Sequence, residues 1–436
     1  MSKKLASVQV FSLLSIGLLL ILSSSLAISA QSVAQTNWSM FRNDSQHSGT
    51  AHIDGQIGNG TLWTFSTNGQ VWSSPAVWEG KVYVGSVDQA LYALNASTGT
   101  LIWSYPTAGA IYSSPAVTDG VVYVGSLDGN MYALNASTGL KLWNFLTDGP
   151  VFSSPTVEGG RVYFGSDDSS VYALDAQTGR LLWSFRTGDR VQASPALSGG
   201  KVYIGSNDTN IYAIDASSGK MVWVYTTGGY VVGSSPTVAE TLVVVGCYDN
   251  NTYALDATLG TLMWYASTGY DICMQGSPAY RNGAVYTGSS HLLSSIFSSE
   301  YTSDFLQVTD YVYALDATDG AIIWSHPVGG GVWSSPAVTS TTVYVGSGDG
   351  KLYALDIHDG NFVWSYQTQG VIYSSPAIAD GRIYVGSECT VYAIGSVAST
   401  VADGSGVWTM VLVGVLLVLI VTITFLVVRR RRFWRK

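Results

Sequence analysis

The sequence predicts an all-β fold, an eight-bladed β-propeller of four-stranded antiparallel blades, followed by one C-terminal transmembrane helix. Three observations predict it: a recurring tryptophan, a recurring Ser-Pro pair, and an apolar run near the carboxy terminus. The intervals between the tryptophans are 40, 40, 40, 40, 41, 60 and 40 residues. A period of about 40 residues marks one supersecondary unit that stacks on its copies. The tryptophans are Trp63, Trp103, Trp143, Trp183, Trp223, Trp264, Trp324 and Trp364.

One repeat shows why each unit is read as a blade. In the unit 113–147, runs 121–126 and 131–135 are rich in Val, Tyr and Leu, and Asp128-Gly129 between them suits a tight hairpin turn. Strands that are apolar on both faces need cover on both sides. A four-stranded blade that lies between two other blades receives that cover.

The Ser-Pro pair counts eight blades, and the two ends of the repeat region complement each other. The eighth copy ends at 391–394 without a tryptophan, whereas an extra strand at 61–65 precedes the first Ser-Pro. We therefore expect the amino-terminal strand to complete the last blade and close the ring. The prolines are Pro75, Pro115, Pro155, Pro195, Pro236, Pro278, Pro336 and Pro376.

A motif around each tryptophan resembles that of a known family. Each unit carries Ala-x-(Asp/Asn)-x-x-(Thr/Ser)-Gly-x-x-x-Trp with minor variation, as in Ala93, Asn95, Thr98, Gly99 and Trp103. The motif resembles the tryptophan-docking motif of the PQQ-like, or quinoprotein-type, β-propellers. That group includes the pyrroloquinoline quinone (PQQ) dehydrogenases and the non-enzymatic propeller lipoprotein of the outer-membrane barrel-assembly machinery. The resemblance implies that the eight tryptophans are structural and stack between blades.

The two ends of the chain predict export and a membrane anchor. Lys3 and Lys4 precede an apolar run and small residues, the layout of a secretory signal. Residues 407–428 are uncharged and mostly apolar, long enough to cross a bilayer, and a basic tail follows at once. The positive-inside rule puts that tail in the cytoplasm and the propeller outside the cell membrane. The predicted division is signal peptide 1–30, lead-in segment 31–60, propeller 61–394, stalk 395–406, transmembrane helix 407–428 and cytoplasmic tail 429–436.

The charge of the exported part argues against nucleic acid as a partner. The signal and the tail hold eight of the 20 basic residues, which leaves 12 basic against all 29 acidic residues, a formal charge of −17. Binding to a phosphate backbone needs the opposite sign.

A candidate binding surface follows from the residue three positions before each Ser-Pro proline. In a four-stranded blade, this residue lies on the face where the loop between the second and third strands also opens. In blades four, five and six this residue is Gln192, Gly233 and Gln275. In blades seven, eight, one, two and three, which are consecutive in a closed ring, it is aromatic. Such an aromatic arc can bind sugars, quinones or peptide side chains; packing along the inner strands is the alternative. The arc comprises Trp72, Tyr112, Phe152, Trp333 and Tyr373.

Blade six departs most from the repeat. From the strand-ending glycine to the next tyrosine takes 25 residues there, against seven in blade one, so residues 289–310 contain an insertion of 18. Its apolar spacing partly suits a short amphipathic helix. Long loops are often functional, and a passive flap is the alternative.

The remaining reactive residues give little support for catalysis. The five histidines are scattered without metal-ligand spacing, and we predict neither catalytic nor metal-binding residues. An aspartate recurs at the hairpin corner of six blades, where turn chemistry explains it. Cys247 and Cys273 are compatible with a disulfide in an oxidising compartment.

These observations favour a membrane-anchored, non-enzymatic platform that binds protein or glycan partners and needs no cofactor. The alternative is a small PQQ-dependent oxidoreductase with its site at the propeller mouth. The PQQ dehydrogenases that this sequence resembles have a pair of adjacent cysteines and hold calcium with Glu, Asn and Asp ligands. Neither feature is visible in this sequence.

Overall fold

A computed structural model of the protein describes residues 36–51, 53, 55–268, 276–290 and 309–396. In these ranges no helix is long and apolar enough to span a membrane. The predicted signal peptide, the transmembrane helix, the basic tail and nearly all of the stalk lie outside them.

The described chain contains 32 strands in eight antiparallel sheets of four. The first strand is β1 (Gly60–Ser66). Blade one comprises β2 (Ala76–Trp78), β3 (Lys81–Gly85), β4 (Ala90–Asn95) and β5 (Leu101–Pro106). Blade two comprises β6 (Ala116–Thr118), β7 (Val121–Gly125), β8 (Asn130–Asn135) and β9 (Lys141–Leu146). Blade three comprises β10 (Thr156–Glu158), β11 (Arg161–Ser166), β12 (Ser170–Asp175) and β13 (Leu181–Arg186).

Blade four comprises β14 (Ala196–Ser198), β15 (Lys201–Gly205), β16 (Asn210–Asp215) and β17 (Met221–Thr226). Blade five comprises β18 (Thr237–Ala239), β19 (Leu242–Gly246), β20 (Asn251–Asp256) and β21 (Leu262–Ser267). Blade six comprises β22 (Ala279–Arg281), β23 (Ala284–Gly288), β24 (Asp310–Asp316) and β25 (Ile322–Val328). Blade seven comprises β26 (Ala337–Val338), β27 (Thr342–Gly346), β28 (Lys351–Asp356) and β29 (Phe362–Gln367). Blade eight comprises β30 (Ala377–Ala379), β31 (Arg382–Ser387) and β32 (Thr390–Gly395).

Blade eight is completed by the first strand of the chain. Its sheet has the order β1-β32-β31-β30, and Trp63 and Phe65 of β1 lie opposite Ala393 and Val391 of β32. The predicted closure is therefore confirmed, together with the eight four-stranded blades. Without β1, the strand β32 would be an open sheet edge.

The hydrophobic core lies between blades rather than inside them. Successive residues of an inner strand face the two neighbouring blades in turn. Leu91 and Ala93 of β4 pack against blade two, whereas Leu94 packs against blade eight. This period-two burial on both faces explains why the inner strands read as continuous apolar runs.

Each docking tryptophan follows a β-bulge in the outer strand of its blade. In blade one, Ala93 pairs with Trp103 and the next residue, Leu94, pairs with Leu101, so Ile102 is the extra residue. A bulge bends the strand and changes the direction of the side chain beside it. The same register shift recurs in all eight blades, just ahead of the tryptophan.

Candidate binding face

The loop that leads into each blade and the hairpin between its second and third strands lie on one face, as predicted. The Val87 N–H of the first hairpin donates to Gln70 O of the preceding loop at 2.9 Å, and Leu127 N–H donates to Ala110 O at 2.9 Å. The same bond recurs in blades three, four, five and seven. These bonds fix the arc residues next to the hairpins.

The five arc residues form one continuous run of touching rings. Trp72 stacks on Tyr373, with ring centroids 4.0 Å apart and planes inclined by 9°. Trp333 lies 5.1 Å from Tyr373, Trp72 lies 5.3 Å from Tyr112, and Tyr112 lies 5.0 Å from Phe152. All five side chains are half-buried. The structure thus brings the predicted set together across five blades and leaves each ring partly exposed.

Polar and acidic groups flank the arc at the blade eight to blade one junction. The Trp72 indole N–H donates to Gln70 Oε1 at 3.1 Å, and Gln70 Nε2 donates to Glu388 Oε2 at 3.1 Å. Burial raises the pKa of Tyr373, and the negative charge of Glu388 adds to the shift. The Tyr373 hydroxyl therefore stays protonated and able to donate a hydrogen bond at neutral pH.

The corresponding positions of blades four and five carry no aromatic ring. Gln192 of blade four donates through Nε2 to Asp167 Oδ2 at 3.2 Å, and Gly233 of blade five is exposed. Burial raises the pKa of Asp167, and its Oδ1 has no hydrogen-bond partner. Gln275, Cys273 and residues 291–308 of the insertion lie outside the described residues.

Below the arc, the serine before each proline forms a closed ring of hydrogen bonds. The backbone N–H of each serine donates to Oγ of the matching serine in the next blade, at 2.8–3.0 Å, and Ser375 N–H closes the circle on Ser74 Oγ. We call this the serine ring. The sequence analysis used Ser-Pro only to count blades and missed this role, although the strict recurrence of serine was a visible signal. Its members are Ser74, Ser114, Ser154, Ser194, Ser235, Ser277, Ser335 and Ser375.

The lead-in segment covers the opposite end of the propeller axis. The chain entering blade one passes first Trp72 of the arc, then Ser74 of the serine ring and then Val77 of β2. Val77 pairs with Trp38 of the lead-in segment, which therefore lies on the far side of the ring from the arc. Residues 36–51 contact all eight blades through hydrogen bonds of 2.6–3.0 Å. In blade order, the contacted residues are Val77, Val117, Thr156, Leu197, Val238, Tyr280, Val338 and Asp380.

Two basic residues of the lead-in segment are fully buried on this axis. Burial lowers the pKa of His47 to about 3, with a further contribution from the positive charge of Arg42. His47 is therefore neutral; its Nδ1 lies 3.2 Å from Pro236 O and its Nε2 lies 3.0 Å from Thr156 Oγ1. Burial lowers the pKa of Arg42 to about 9, so Arg42 remains charged at neutral pH.

The eight docking tryptophans form structural contacts between blades. Seven of the eight indole N–H groups donate to a backbone carbonyl of the next blade at 2.8–3.2 Å, as Trp143 does to Ala176 O at 3.0 Å. The motif glycine of the next blade packs on the indole: a Cβ at Gly179, which has φ +70, would lie 2.7 Å from Trp143. Trp364 donates to Ile57 O, so the lead-in segment supplies the missing acceptor of blade eight.

The recurring hairpin aspartates are also structural. Asp128 Oδ2 accepts hydrogen bonds from the Tyr132 hydroxyl at 2.8 Å and from Ala108 N–H of the preceding loop at 2.9 Å. Equivalent tyrosine bonds occur at Asp88, Asp168, Asp208, Asp249 and Asp349. Among the described residues, no group of three or more His, Cys, Asp or Glu is placed to hold a metal ion.

Cys247 is buried, with Sγ 3.6 Å from Tyr230 O. Because Cys273 lies outside the described residues, the disulfide between them stays a prediction.

The repeated docking contacts and the ring closure define the protein as a PQQ-like β-propeller. Residues 54–166, 111–193, 167–299 and 308–424 match the family described as outer membrane protein assembly factor BamB, and the chain belongs to that family. None of the curated protein sequences matches the chain.

Solved structures share this fold at low sequence identity. BamB from Moraxella catarrhalis is 19% identical, with a TM-score of 0.63, over 78% of this chain and 100% of that chain. A quinohemoprotein alcohol dehydrogenase from Comamonas testosteroni is 17% identical, with a TM-score of 0.71, over 82% of this chain and 80% of that chain. A europium-containing methanol dehydrogenase is 16% identical, with a TM-score of 0.66, over 80% and 90%. At these identities the likeness concerns the fold alone, which serves both an assembly factor and enzymes.

Proposed function

We propose that this protein is a membrane-anchored, extracytoplasmic propeller that acts as a non-enzymatic binding platform for protein or glycan partners. The observation that carries the proposal is the unbroken run of five half-buried aromatic rings on one face. Aromatic side chains supply large contact areas at a small entropic cost and are enriched where proteins bind partners. Exported residues of the lead-in segment and propeller carry the site, and residues 407–428 anchor it in the cell membrane.

The chemistry around the arc indicates what a partner presents to it. Glu388 beside Tyr373 places one carboxylate next to the middle of the aromatic run, and Asp167 beside Gln192 places another at its blade three end. A partner with an apolar or planar centre and neutral or basic edges matches this surface, since opposite charges steer association and like charges oppose it. Nucleic acid does not match it.

The arc proposal is tested by truncating single rings. Trp72→Ala and Trp333→Ala should abolish most binding in a glycan array or in cross-linking to envelope proteins, while the melting temperature stays near the wild-type value. Trp78→Ala is the matched control, because Trp78 is a half-buried tryptophan at the end of β2 remote from the arc. If either arc variant melts many degrees lower, the rings are packing residues and the binding proposal fails.

A PQQ-dependent oxidoreductase is the second candidate, because enzymes with this fold exist. The described residues do not fit PQQ with calcium. The arc is flanked by the carboxylates Glu388 and Asp167, which would oppose an anionic cofactor, and no cluster of acidic, His or Cys ligands is formed in the described ranges.

A titration decides between the two candidates. The protein is titrated with PQQ and Ca²⁺ while tryptophan fluorescence and dye-linked alcohol or sugar oxidation are followed together. We expect neither quenching nor turnover. Saturable quenching accompanied by turnover would establish the enzyme instead.

A further inference from the structure

Exposed apolar side chains recur at one position of the outer strands. In blades one and three to seven, the two residues directly before the docking tryptophan are both apolar, as Leu101 and Ile102 are before Trp103. At least one residue of each pair is exposed, by 39–55%. Blade two has Leu142 before its tryptophan and Leu140 in the turn ahead of the strand, and blade five adds Leu259 in its turn. We call these residues the apolar belt.

The belt holds most of the apolar surface side chains of the described chain. That part of the chain has 17 exposed large apolar residues, and 13 of them belong to the belt. The two turn leucines, Leu140 and Leu259, are the most exposed, at 69% and 68%. Exposed apolar surface gathered in this way marks a place where a protein meets a partner or a membrane.

The belt lies at the end of the propeller axis that the lead-in segment covers. In blade one, Leu101 pairs with Leu94, close to the end of β4. β4 ends beside Lys81, where β3 begins, just past the point at which Val77 of β2 pairs with the lead-in segment. The same register recurs in blades two to seven, so the belt lies at one level of the axis, opposite the arc.

Along each outer strand, the exposed side chains change from apolar to polar at the docking tryptophan. In blade one, Leu101 and Ile102 are exposed before it and Ser104 is exposed after it. The residue directly after the tryptophan is Ser, Thr or Asn in six of the eight blades, the exceptions being Val224 and Tyr265. Contact with water alone would act equally on both halves of a strand, and edge strands in water commonly carry charged residues. The change therefore indicates a different environment at the lead-in end.

A lipid bilayer fits the belt better than a protein partner does. The belt follows the circumference through seven blades at one level, so a flat surface can meet all of it at once. A protein interface of standard size covers only about 800 Å² on each partner, which is a local patch. It would leave most of the belt in water.

The chain leaves the propeller at this same end. β32 ends at Gly395, which pairs with Arg382 directly after the turn between β30 and β31. Residues 397–406 follow, ahead of the predicted transmembrane helix 407–428. Ten extended residues span at most about 35 Å. A link of that length starts from the lead-in end and keeps that end within reach of the bilayer.

We propose that the apolar belt inserts into the headgroup region of the cell membrane, so that the propeller rests on the bilayer with its lead-in end and the aromatic arc faces away. The inference rests on the membrane anchor of the proposed function and deepens it, because it directs the arc toward partners outside the membrane. Apolar side chains at an interface enter about 5–10 Å, to the boundary between headgroups and acyl chains. The exported part carries a formal charge of −17, so apolar insertion rather than attraction to anionic lipid holds the contact.

The test maps lipid contacts of the full-length protein in phosphatidylcholine vesicles. A small fraction of the lipid carries a diazirine on the acyl chain near the headgroup, and labelled peptides are identified by mass spectrometry after photolysis. We expect label on peptides that contain belt residues, such as 259–263 and 321–323, at about five times or more the level on the arc peptide 370–374.

The outcomes separate this inference from the proposed function. Label within 407–428 and none on the outer strands would overturn the belt contact and leave the anchor intact. Label on neither would show that 407–428 does not hold the protein in the bilayer, and the anchor would fail together with the belt contact. Belt peptides that carry no lipid label but cross-link to a second copy of the chain would also overturn the proposal.

Variants test the side chains themselves. Met221→Ser combined with Met263→Ser should lower the label on the unchanged residues of β17 and β21 about threefold. The melting temperature in detergent should stay near the wild-type value, because both methionines are exposed. Tyr230→Ser is the matched control, since Tyr230 is 56% exposed but lies in the loop that leads into blade five, at the arc end. Equal label in the double variant and the wild type would overturn the proposal.

Discussion

At the blade junctions, single backbone carbonyl oxygens accept hydrogen bonds from two side-chain donors of the preceding blade. Ala176 O of blade three accepts the Trp143 indole N–H at 3.0 Å and the Tyr123 hydroxyl at 3.1 Å, both from blade two. The pattern recurs at Ala136 and Ala257. Because a carbonyl oxygen has two lone pairs, both bonds can form at once, and either one leaves the buried carbonyl partnered.

This shared acceptor predicts non-additive mutations. Tyr123→Phe should cost about 1 kcal/mol of unfolding free energy, because it removes one donor and little volume. Trp143→Phe should cost more, because it also removes part of a buried ring. The double variant should cost about 1 kcal/mol more than the sum, because the carbonyl then loses both partners. Urea unfolding of the four proteins gives the coupling energy. Strict additivity would show that the two bonds act independently.

His47 predicts a pH dependence of stability. Its folded pKa of about 3 lies below the ordinary value of 6.5, so the unfolded chain binds a proton that the folded protein excludes between those values. The contribution of neutral His47 is complete above pH 6.5 and is lost as the pH falls toward 3, at about 1.4 kcal/mol per pH unit.

His47→Gln should therefore flatten the fall in stability between pH 6.5 and 4 relative to the wild type, measured by urea unfolding. His358→Gln, in an exposed turn, is the control and should follow the wild-type curve. Parallel curves for His47→Gln and the wild type would contradict the assignment of the pH effect to this histidine.

At the scale of elements, β1 and the inner strands hold the ring together in different ways. β1 closes blade eight by pairing with β32 and carries Trp63, which donates to Ala96 O at 2.9 Å in blade one. The inner strands are linked by the serine ring, a circle of eight bonds that passes through every blade.

Deleting residues 61–67 should collapse cooperative unfolding. The deletion exposes the edge of β32, removes one docking tryptophan and leaves the junction of blades eight and one without its contact. We expect a broad transition at a lower temperature in differential scanning calorimetry. An unchanged sharp transition would mean that closure by β1 contributes little to stability.

At the scale of the whole molecule, the lead-in segment links all eight blades at one end of the axis, while the arc lies at the other. The two ends therefore differ in kind: one is closed by the protein's own chain, and the other presents aromatic side chains. The proposed partner is therefore expected at the arc end of the axis.

Removing residues 36–51 should destabilise the whole propeller although every strand of the blades remains. The loss includes hydrogen bonds to each blade and the buried side chains of Trp38 and Met40. We expect the melting temperature to fall by about 10 °C or more, because several kcal/mol are lost. Asp380→Gly, which removes the side-chain contact with Thr36 and tolerates the positive φ of this position (φ 51), should have a small effect; equal effects of the two changes would contradict a role for the segment as a whole.

The sequence by itself determined the repeat, the number of blades, the strand that closes the ring and the residues of the aromatic arc. Each of these is local or periodic, because one blade repeats about every 40 residues and its turns are specified by glycine, aspartate and proline at fixed positions. Trp143 and Gly179 could be read as docking residues for the same reason.

Only the tertiary structure decided which residues contact one another near the propeller axis. The serine ring joins residues that are 40 or more positions apart, and Arg42 lies beside Ser277 across 235 positions. No periodicity links the lead-in segment to the blades, since it occurs once and contacts each blade through a different residue. The burial of its Arg42 and His47 therefore results from the way the segment packs against all eight blades.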